Sequence, residues 1–114
     1  MGRYRRADRV AGQVHKLLAE LIRTEIRDPR VGPMSITTVH VSGDLSVAKI
    51  RFLPLGGEGD SAGMLAGLNA AKGFLRRQIG RQMRVRTVPE LRFEVDMEHD
   101  RAFNLIASLS PAEE

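Results

Sequence analysis

The segment LNAAKGFLRRQIGRQMRVR, residues 68–86, joins two stretches of helical apolar spacing through a short interruption. Gly73 stands where the spacing changes phase, and a glycine inside a helix costs about 1 kcal/mol relative to alanine. The thirteen residues that follow Gly73 include five arginines and no acidic residue. The segment therefore predicts two consecutive helices with a sharp bend at Ala71, Lys72 and Gly73, and the second helix is strongly basic.

The N-terminal part of the chain predicts one long amphipathic helix. Val10, Val14 and Leu17 follow the spacing of a single helix face, and apolar residues continue that face further along the chain. Pro29 ends the pattern because proline pushes the residue before it out of the helical region. We expect this helix over residues 6–27.

The middle of the chain predicts an antiparallel hairpin. The runs MSITTVHV and VAKIRFLP are rich in β-branched residues, and SGDLS separates them. The alternation slips between Ile36 and Val39, which indicates either a β-bulge or an early start of the strand. A third strand carries Leu91, Phe93 and Val95 on one face. The order αββααβ, with two helices linking strands 2 and 3, predicts an α+β or α/β two-layer domain whose helices cover one face of a three-stranded sheet.

Three structures are compatible with the interruption at Ala71, Lys72 and Gly73. One is a simple helix C-cap or a place of close helix packing. A second is a helix-turn-helix motif, in which the arginine-rich helix enters a DNA groove, but that motif normally lies among helices rather than between strands. The third is a KH-type helix pair, in which two helix ends meet a nucleic-acid backbone. The GXXG usual at that junction is absent; Gly56-Gly57-Glu58-Gly59 lies before both helices.

Length and composition limit the class of protein. With 114 residues, 42% of them hydrophobic, the chain is expected to form one domain over residues 6–96, with a flexible basic N-terminus at 1–5 and a tail at 97–114. It has no cysteine, which excludes disulfides, cysteine-bound zinc and thiol nucleophiles. No apolar run approaches the roughly 20 residues that cross a bilayer, so a soluble, cytoplasmic protein is expected.

The sequence offers no constellation for catalysis. His15, His40 and His99 are scattered, and no pair of them has the spacing of a metal site. No nucleophile, base and orienting residue can be nominated together. We therefore expect no enzyme activity, no catalytic residue, no metal, no cofactor and no small-molecule substrate.

Positive charge is concentrated in one segment. Residues 72–86 hold six basic residues and no acidic one, whereas the rest of the chain has 12 basic against 14 acidic residues. Such clustering is typical of a surface that binds a polyanion. The alternative is a solvated helix face with cations near its C-terminus. The candidate phosphate-binding residues are Lys72, Arg76, Arg77, Arg81, Arg84 and Arg86.

Two further details of this basic segment are open at the level of sequence. Arg77, Arg81 and Arg84 would share one helical face if the helix persists that far. Lys49 and Arg51, on the exposed face of strand 2, either extend the same surface or form the polar half of an amphipathic strand.

Three motifs in order resemble the ribosome-binding factor A family, bacterial maturation factors of the small ribosomal subunit. They are the Asp28-Pro29-Arg30 helix end, the SGDLS hairpin and the strand VPELRF, and the resemblance extends from about residue 6 to residue 109. That family is similar to type II KH domains but replaces GXXG with an Ala-x-Gly kink, which Ala71-Lys72-Gly73 matches. The resemblance implies a type II KH-like α+β fold with the order αββααβ.

The resemblance also implies a function. It implies a non-enzymatic protein, expected to be a monomer, that binds the free or immature 30S small subunit and its 16S rRNA near the decoding region. It implies a role in late maturation, in processing of the rRNA 5′ end and in growth in the cold. The tail departs from the family pattern, because Glu98 and Asn104-Leu105 replace a serine and an Arg-Ile pair. What the tail contacts is therefore not implied.

Other functions remain compatible with the arginines. A protein-protein adaptor, or an integral ribosomal protein, could use them to meet acidic side chains. A small RNA-processing hydrolase is a third hypothesis, but the sequence shows no acid-base or metal constellation for it.

Overall fold

The computed structural model describes residues 2–55 and 61–97, and the side chains from Arg5 onward within those ranges. The elements are α1 (Gly2–Glu25), β1 (Met34–Val41), β2 (Val47–Pro54), α2 (Ser61–Ala70), α3 (Lys72–Met83) and β3 (Glu90–Val95). This order confirms the predicted αββααβ fold. The first helix begins earlier than expected, at Gly2, and ends at Glu25. Apart from Met97, the tail predicted at 97–114 lies outside the described residues.

The three strands form one mixed sheet in the order β1-β2-β3. β1 pairs antiparallel with β2, and β3 pairs parallel with β2 on its other side. The register shifts between Ile36 and Thr38, so the bulge is the alternative that the structure confirms. The parallel pairing of β2 with β3 is the arrangement that a helical connection permits, because parallel neighbours need a long crossover.

The helices cover one face of this sheet. Alternate residues of β2 (Ala48, Ile50 and Phe52) are fully buried, and Leu91 and Phe93 of β3 continue the same layer. From the helices, the core receives Val14, Leu18, Leu21, Met64, Leu68, Leu75 and Ile79. Burial of these mostly aliphatic side chains holds α3 in a fixed orientation, which decides where its arginines lie.

The loop after α1 supports α2. Asp28 accepts hydrogen bonds from the backbone N–H and the guanidinium of Arg30, with 2.7 Å between Oδ2 and Nη2. These bonds lower the pKa of Asp28 to about 2, so its charge persists at neutral pH. Gly67 of α2 lies directly on this loop, since a Cβ there would stand 2.6 Å from Cγ2 of Val31. The absence of a side chain at Gly67 allows that close approach.

Candidate nucleic-acid interface

The bend between α2 and α3 is made by a single residue, Ala71. It has φ −89° and ψ −1°, its N–H is shared between the carbonyls of Gly67 and Leu68, and its own carbonyl accepts from the N–H of Leu75. The bend predicted over Ala71, Lys72 and Gly73 is thus made at Ala71, and Gly73, the second residue of α3, is helical. The bend needs no positive φ, so it does not require a glycine.

Gly73 instead leaves the exposed start of α3 without a side chain. A Cβ at this position would lie 3.4 Å from Nη1 of Arg77, so the guanidinium of Arg77 lies back over Gly73. This direction is the usual one for a long side chain on a helix, which leans toward the N-terminus. A guanidinium and the first turn of a helix are thereby placed side by side.

α3 separates buried from charged residues. Leu75 and Ile79 are fully buried, whereas Arg77 and Arg81, one turn apart, are exposed on the opposite side. The common helical face expected for Arg77, Arg81 and Arg84 stops at Arg81, because the helix ends at Met83. Arg84 takes the left-handed conformation, with φ 54° and ψ 38°, and its N–H caps the carbonyl of Gly80. This cap directs Arg84 into the loop toward β3.

Arg76 has a role that the sequence did not reveal. Its Nη2 donates a hydrogen bond to the carbonyl of Val88, at 2.9 Å. The same part of the loop packs against α3 at Gly80, where a Cβ would lie 2.9 Å from Cγ2 of Val88. Arg76 therefore fixes the loop of residues 84–89, which carries Arg84 and Arg86. No local sequence signal marks a bond to a backbone carbonyl twelve residues away.

Lys72 lies beside the first acidic residue of β3. It is half-buried. The hydrogen bond from Arg92 holds the pKa of Glu90 below its usual value, and the charges of Lys72 and Arg76 add to this effect. That bond, from Nε of Arg92 to the carboxylate of Glu90, is 2.8 Å long. Glu90 therefore borders the basic residues, but Arg92 already engages its carboxylate.

Lys49 and Arg51 lie on the other face of the sheet, away from α3. Both contact Glu94 of the neighbouring strand: Nε of Arg51 is 3.3 Å from Oε1, and Nζ of Lys49 is 3.7 Å from Oε2. The structure does not bring these two residues together with the arginines of α3. Their contacts with Glu94 favour the interpretation of a polar strand face.

The remaining candidate cations lie along α3 and in the loop that follows it, and we call this set of residues the α3 basic surface. Its members are Lys72, Arg77, Arg81, Arg84 and Arg86. None of them forms an ion pair with a carboxylate of the described residues. Guanidinium groups bind phosphate through paired, planar hydrogen bonds, so this surface has the chemistry of a phosphate-binding site.

Within the described ranges, other kinds of site are not found. No group of three or more histidine, aspartate or glutamate residues there could hold a metal ion. Among the same residues, no helix has the length and apolarity needed to cross a membrane.

Comparison with known proteins decides the family. Residues 6–109 match the family model described as ribosome-binding factor A. The chain belongs to the ribosome-binding factor A family. The family members from Thioalkalivibrio sulfidiphilus and Thiobacillus denitrificans are 46% and 45% identical to it, each over 96% of this chain and over 84% and 90% of their own. The resemblance inferred from the motifs is thus confirmed, and the family comprises non-enzymatic ribosome assembly factors.

Solved structures of this family share the fold. The crystal structure of ribosome-binding factor A from Thermus thermophilus superposes with a TM-score of 0.69 at 28% identity, covering 78% of this chain and 93% of that one. A Thermus thermophilus homology model fitted into a cryo-EM map of a complex with the 30S subunit gives a TM-score of 0.63 at 29% identity, over 75% and 90% of the two chains. The KH-like α+β fold is confirmed by these neighbours.

Proposed function

We propose that this protein binds the 30S small ribosomal subunit by placing the α3 basic surface on phosphates of its 16S rRNA. One observation carries the proposal: Arg77, Arg81, Arg84 and Arg86 are exposed, close in sequence and unpaired with any carboxylate of the described residues. Like charges held close together repel one another unless an anion is bound between them. The Thermus thermophilus relative placed in a 30S complex supports the choice of that anion.

The bend between the helices contributes to the same surface. Gly73 is exposed at the start of α3, and the guanidinium of Arg77 lies 3.4 Å from where its Cβ would be. A phosphate group can therefore approach the backbone of the first turn of α3 and at the same time accept a hydrogen bond from Arg77. The helix macrodipole favours an anion at this end of the helix. Sequence-independent phosphate contacts of this type fix the position and orientation of a protein on RNA.

The role in maturation follows from binding. A monomer without catalytic residues acts on rRNA by stabilising one conformation of it, and the proposed effect on processing of the 5′ end is indirect. The proposal also includes the domain limits: the domain spans residues 6–96, and residues 1–5 and 97–114 are not part of it.

Reversal of charge on α3 tests the interface. Arg77→Glu with Arg81→Glu should abolish cosedimentation with immature small subunits and leave the circular dichroism spectrum unchanged, because both side chains are exposed. The matched control is Arg23→Glu with Arg27→Glu, an exposed pair with the same spacing around the C-terminal end of α1. Equal binding by both double variants would refute the proposed interface.

Two further measurements address the process and the competing hypothesis. In cells that depend on the Arg77, Arg81 variant, precursor 16S rRNA with an unprocessed 5′ end should accumulate, whereas the control variant should process normally. Mild nuclease treatment should release the wild-type protein from the subunit. An adaptor that uses its arginines on acidic proteins would stay bound after that treatment.

A further inference from the structure

A groove lies at the end of the sheet where three parts of the chain meet. The first turns of α1, the turn between β1 and β2, and the loop after α3 enclose a space of about 930 Å³. This volume falls in the range of small-ligand sites, about 300–1,000 Å³. The N–H of Glu90 donates to the carbonyl of Ser46, which fastens the loop to the hairpin and keeps the walls in place.

The floor of the groove is aliphatic. Val10, Leu45 and Met83 line it, and all three are partly buried hydrophobic residues packed against the core. Pro89, fully buried, closes the base. Aliphatic side chains that remain open to solvent suit a ligand with an apolar face.

The rim of the groove is positively charged. Arg6, Arg84 and Arg86 line it and are exposed, against one acidic lining residue, Asp44. Oδ1 of Asp44 accepts bonds from the hydroxyls of the two serines that flank the turn and from one backbone N–H. These bonds lower the pKa of Asp44 to about 2, and they direct its charge toward the turn itself.

The backbone of Leu45, in this floor, has an unfavourable conformation. Among the described residues, Leu45 (φ 63°) and Arg84 (φ 54°) are the two non-glycine residues with positive φ, and both line the groove. A left-handed conformation is unfavourable for an L-residue other than glycine, because its Cβ approaches the following carbonyl oxygen. The hairpin turn imposes it, since the N–H of Leu45 donates to the carbonyl of Ser42. A glycine would satisfy this turn better, but it would remove one apolar side chain from the floor.

We propose that this groove binds one unstacked nucleotide of single-stranded RNA, with the base on the aliphatic floor and its flanking phosphates on Arg84 and Arg86. The inference rests on the proposed function and deepens it, because Arg84 and Arg86 belong to the α3 basic surface. A base inside a duplex is stacked on both faces and cannot enter such a groove. Single-stranded RNA presents both an apolar base face and charged phosphates, which are the two chemistries that floor and rim offer.

The test uses Leu45→Gly, which removes one side chain of the aliphatic floor while relieving the strained backbone. The probe is a single-stranded RNA hexamer with one central 2-aminopurine, whose fluorescence rises when the base leaves its stacked neighbours. Wild-type protein should bind this hexamer in preference to the duplex of the same sequence, and fluorescence should rise. Leu45→Gly should weaken binding by about tenfold, on the scale of one lost base contact, without changing its dependence on salt.

Controls separate the groove from the rest of the protein. Leu55→Gly makes the same change at an exposed leucine at the opposite end of β2, and it should bind as wild type. Met83→Gln changes a second floor residue and should also weaken binding, so the test does not depend on Leu45→Gly alone. Arg84→Ala with Arg86→Ala should instead reduce the dependence on salt.

Several results would overturn the groove as a nucleotide site. These are unchanged hexamer affinity in Leu45→Gly and Met83→Gln, equal binding of the duplex, or displacement of the hexamer by a hexaglutamate peptide at equal concentration. One of these results can coincide with a failure of the Arg77→Glu, Arg81→Glu variant to cosediment with small subunits. The proposed function then stands, and the groove proposal falls. If wild-type protein does not bind small subunits, the proposed function itself fails.

Discussion

Replacing Arg77 and Arg81 with alanine should halve the salt dependence of subunit binding. Each phosphate neutralised by a cation contributes about −0.7 for single strands and about −0.9 for duplexes to the slope of log affinity against log salt. Four exposed arginines, at positions 77, 81, 84 and 86, are available in the wild-type protein. Its slope should therefore be about −2.8 to −3.6, and that of the double variant about −1.4 to −1.8.

These slopes correspond to a large difference in measured affinity. When salt rises fourfold, from about 50 to about 200 mM, wild-type affinity should fall by about 50- to 150-fold. The double variant should lose only about 7- to 12-fold over the same interval. At low salt the variant should already bind more weakly, and the two titrations should converge as salt increases.

The assay is an equilibrium titration of labelled protein with purified immature small subunits, over a series of potassium chloride concentrations at constant magnesium. The chain has no cysteine, so one introduced cysteine carries the label at a unique place. Arg23→Ala with Arg27→Ala removes the same charge elsewhere and should retain the wild-type slope. Equal slopes for wild type and the Arg77, Arg81 variant would refute the assignment of phosphate contacts to α3.

Three predictions concern the fold. Gly73→Ala should raise the free energy of unfolding by about 0.5–1 kcal/mol in urea titration, because the residue is exposed and helical. A lower free energy of unfolding would contradict the helical conformation of Gly73. Gly67→Ala should destabilise by about 1–3 kcal/mol, since its Cβ would stand 2.6 Å from Cγ2 of Val31, and an unchanged midpoint would contradict that packing. Asp44, with its pKa lowered to about 2, stabilises the fold above its unfolded pKa near 3.8 and loses this effect as pH falls toward 2. Asp44→Asn should therefore be less stable than wild type at pH 6 and match it near pH 2 in thermal melts; a constant difference across this range would be the contrary result.

Most of the fold could be predicted because local periodicity decides it. The spacing of Val10, Val14 and Leu17 defined α1, and β-branched alternation around SGDLS defined the hairpin. The slip in that alternation coincides with the register shift of β1, and two helices before β3 form the type of connection that a parallel pair needs. The bend was predicted over Ala71, Lys72 and Gly73, and the structure makes it at Ala71, at an ordinary negative φ that no sequence signal marks.

The candidate site was less predictable, because its details depend on contacts between distant residues. Arg76 was grouped with the other basic residues, yet it donates to the carbonyl of Val88. Arg51 lies opposite Glu94 only in the observed register of β2 and β3, and a sequence that predicts parallel strands does not specify their register. The groove requires α1, the hairpin turn and the loop after α3 to meet, so no single segment indicated it.

Tethered hydroxyl-radical cleavage tests most directly whether α3 lies on ribosomal RNA. One variant, Gln82→Cys, carries an iron–EDTA probe at an exposed position one residue after Arg81, and it is bound to immature small subunits. A second variant, Ser35→Cys, carries the same probe at an exposed position on β1. The probe at Gln82 should cleave 16S rRNA at a discrete cluster of nucleotides, with much weaker cleavage from Ser35. No cleavage from Gln82, together with strong cleavage from Ser35, would contradict the account, because it would place the opposite side of the molecule on the RNA.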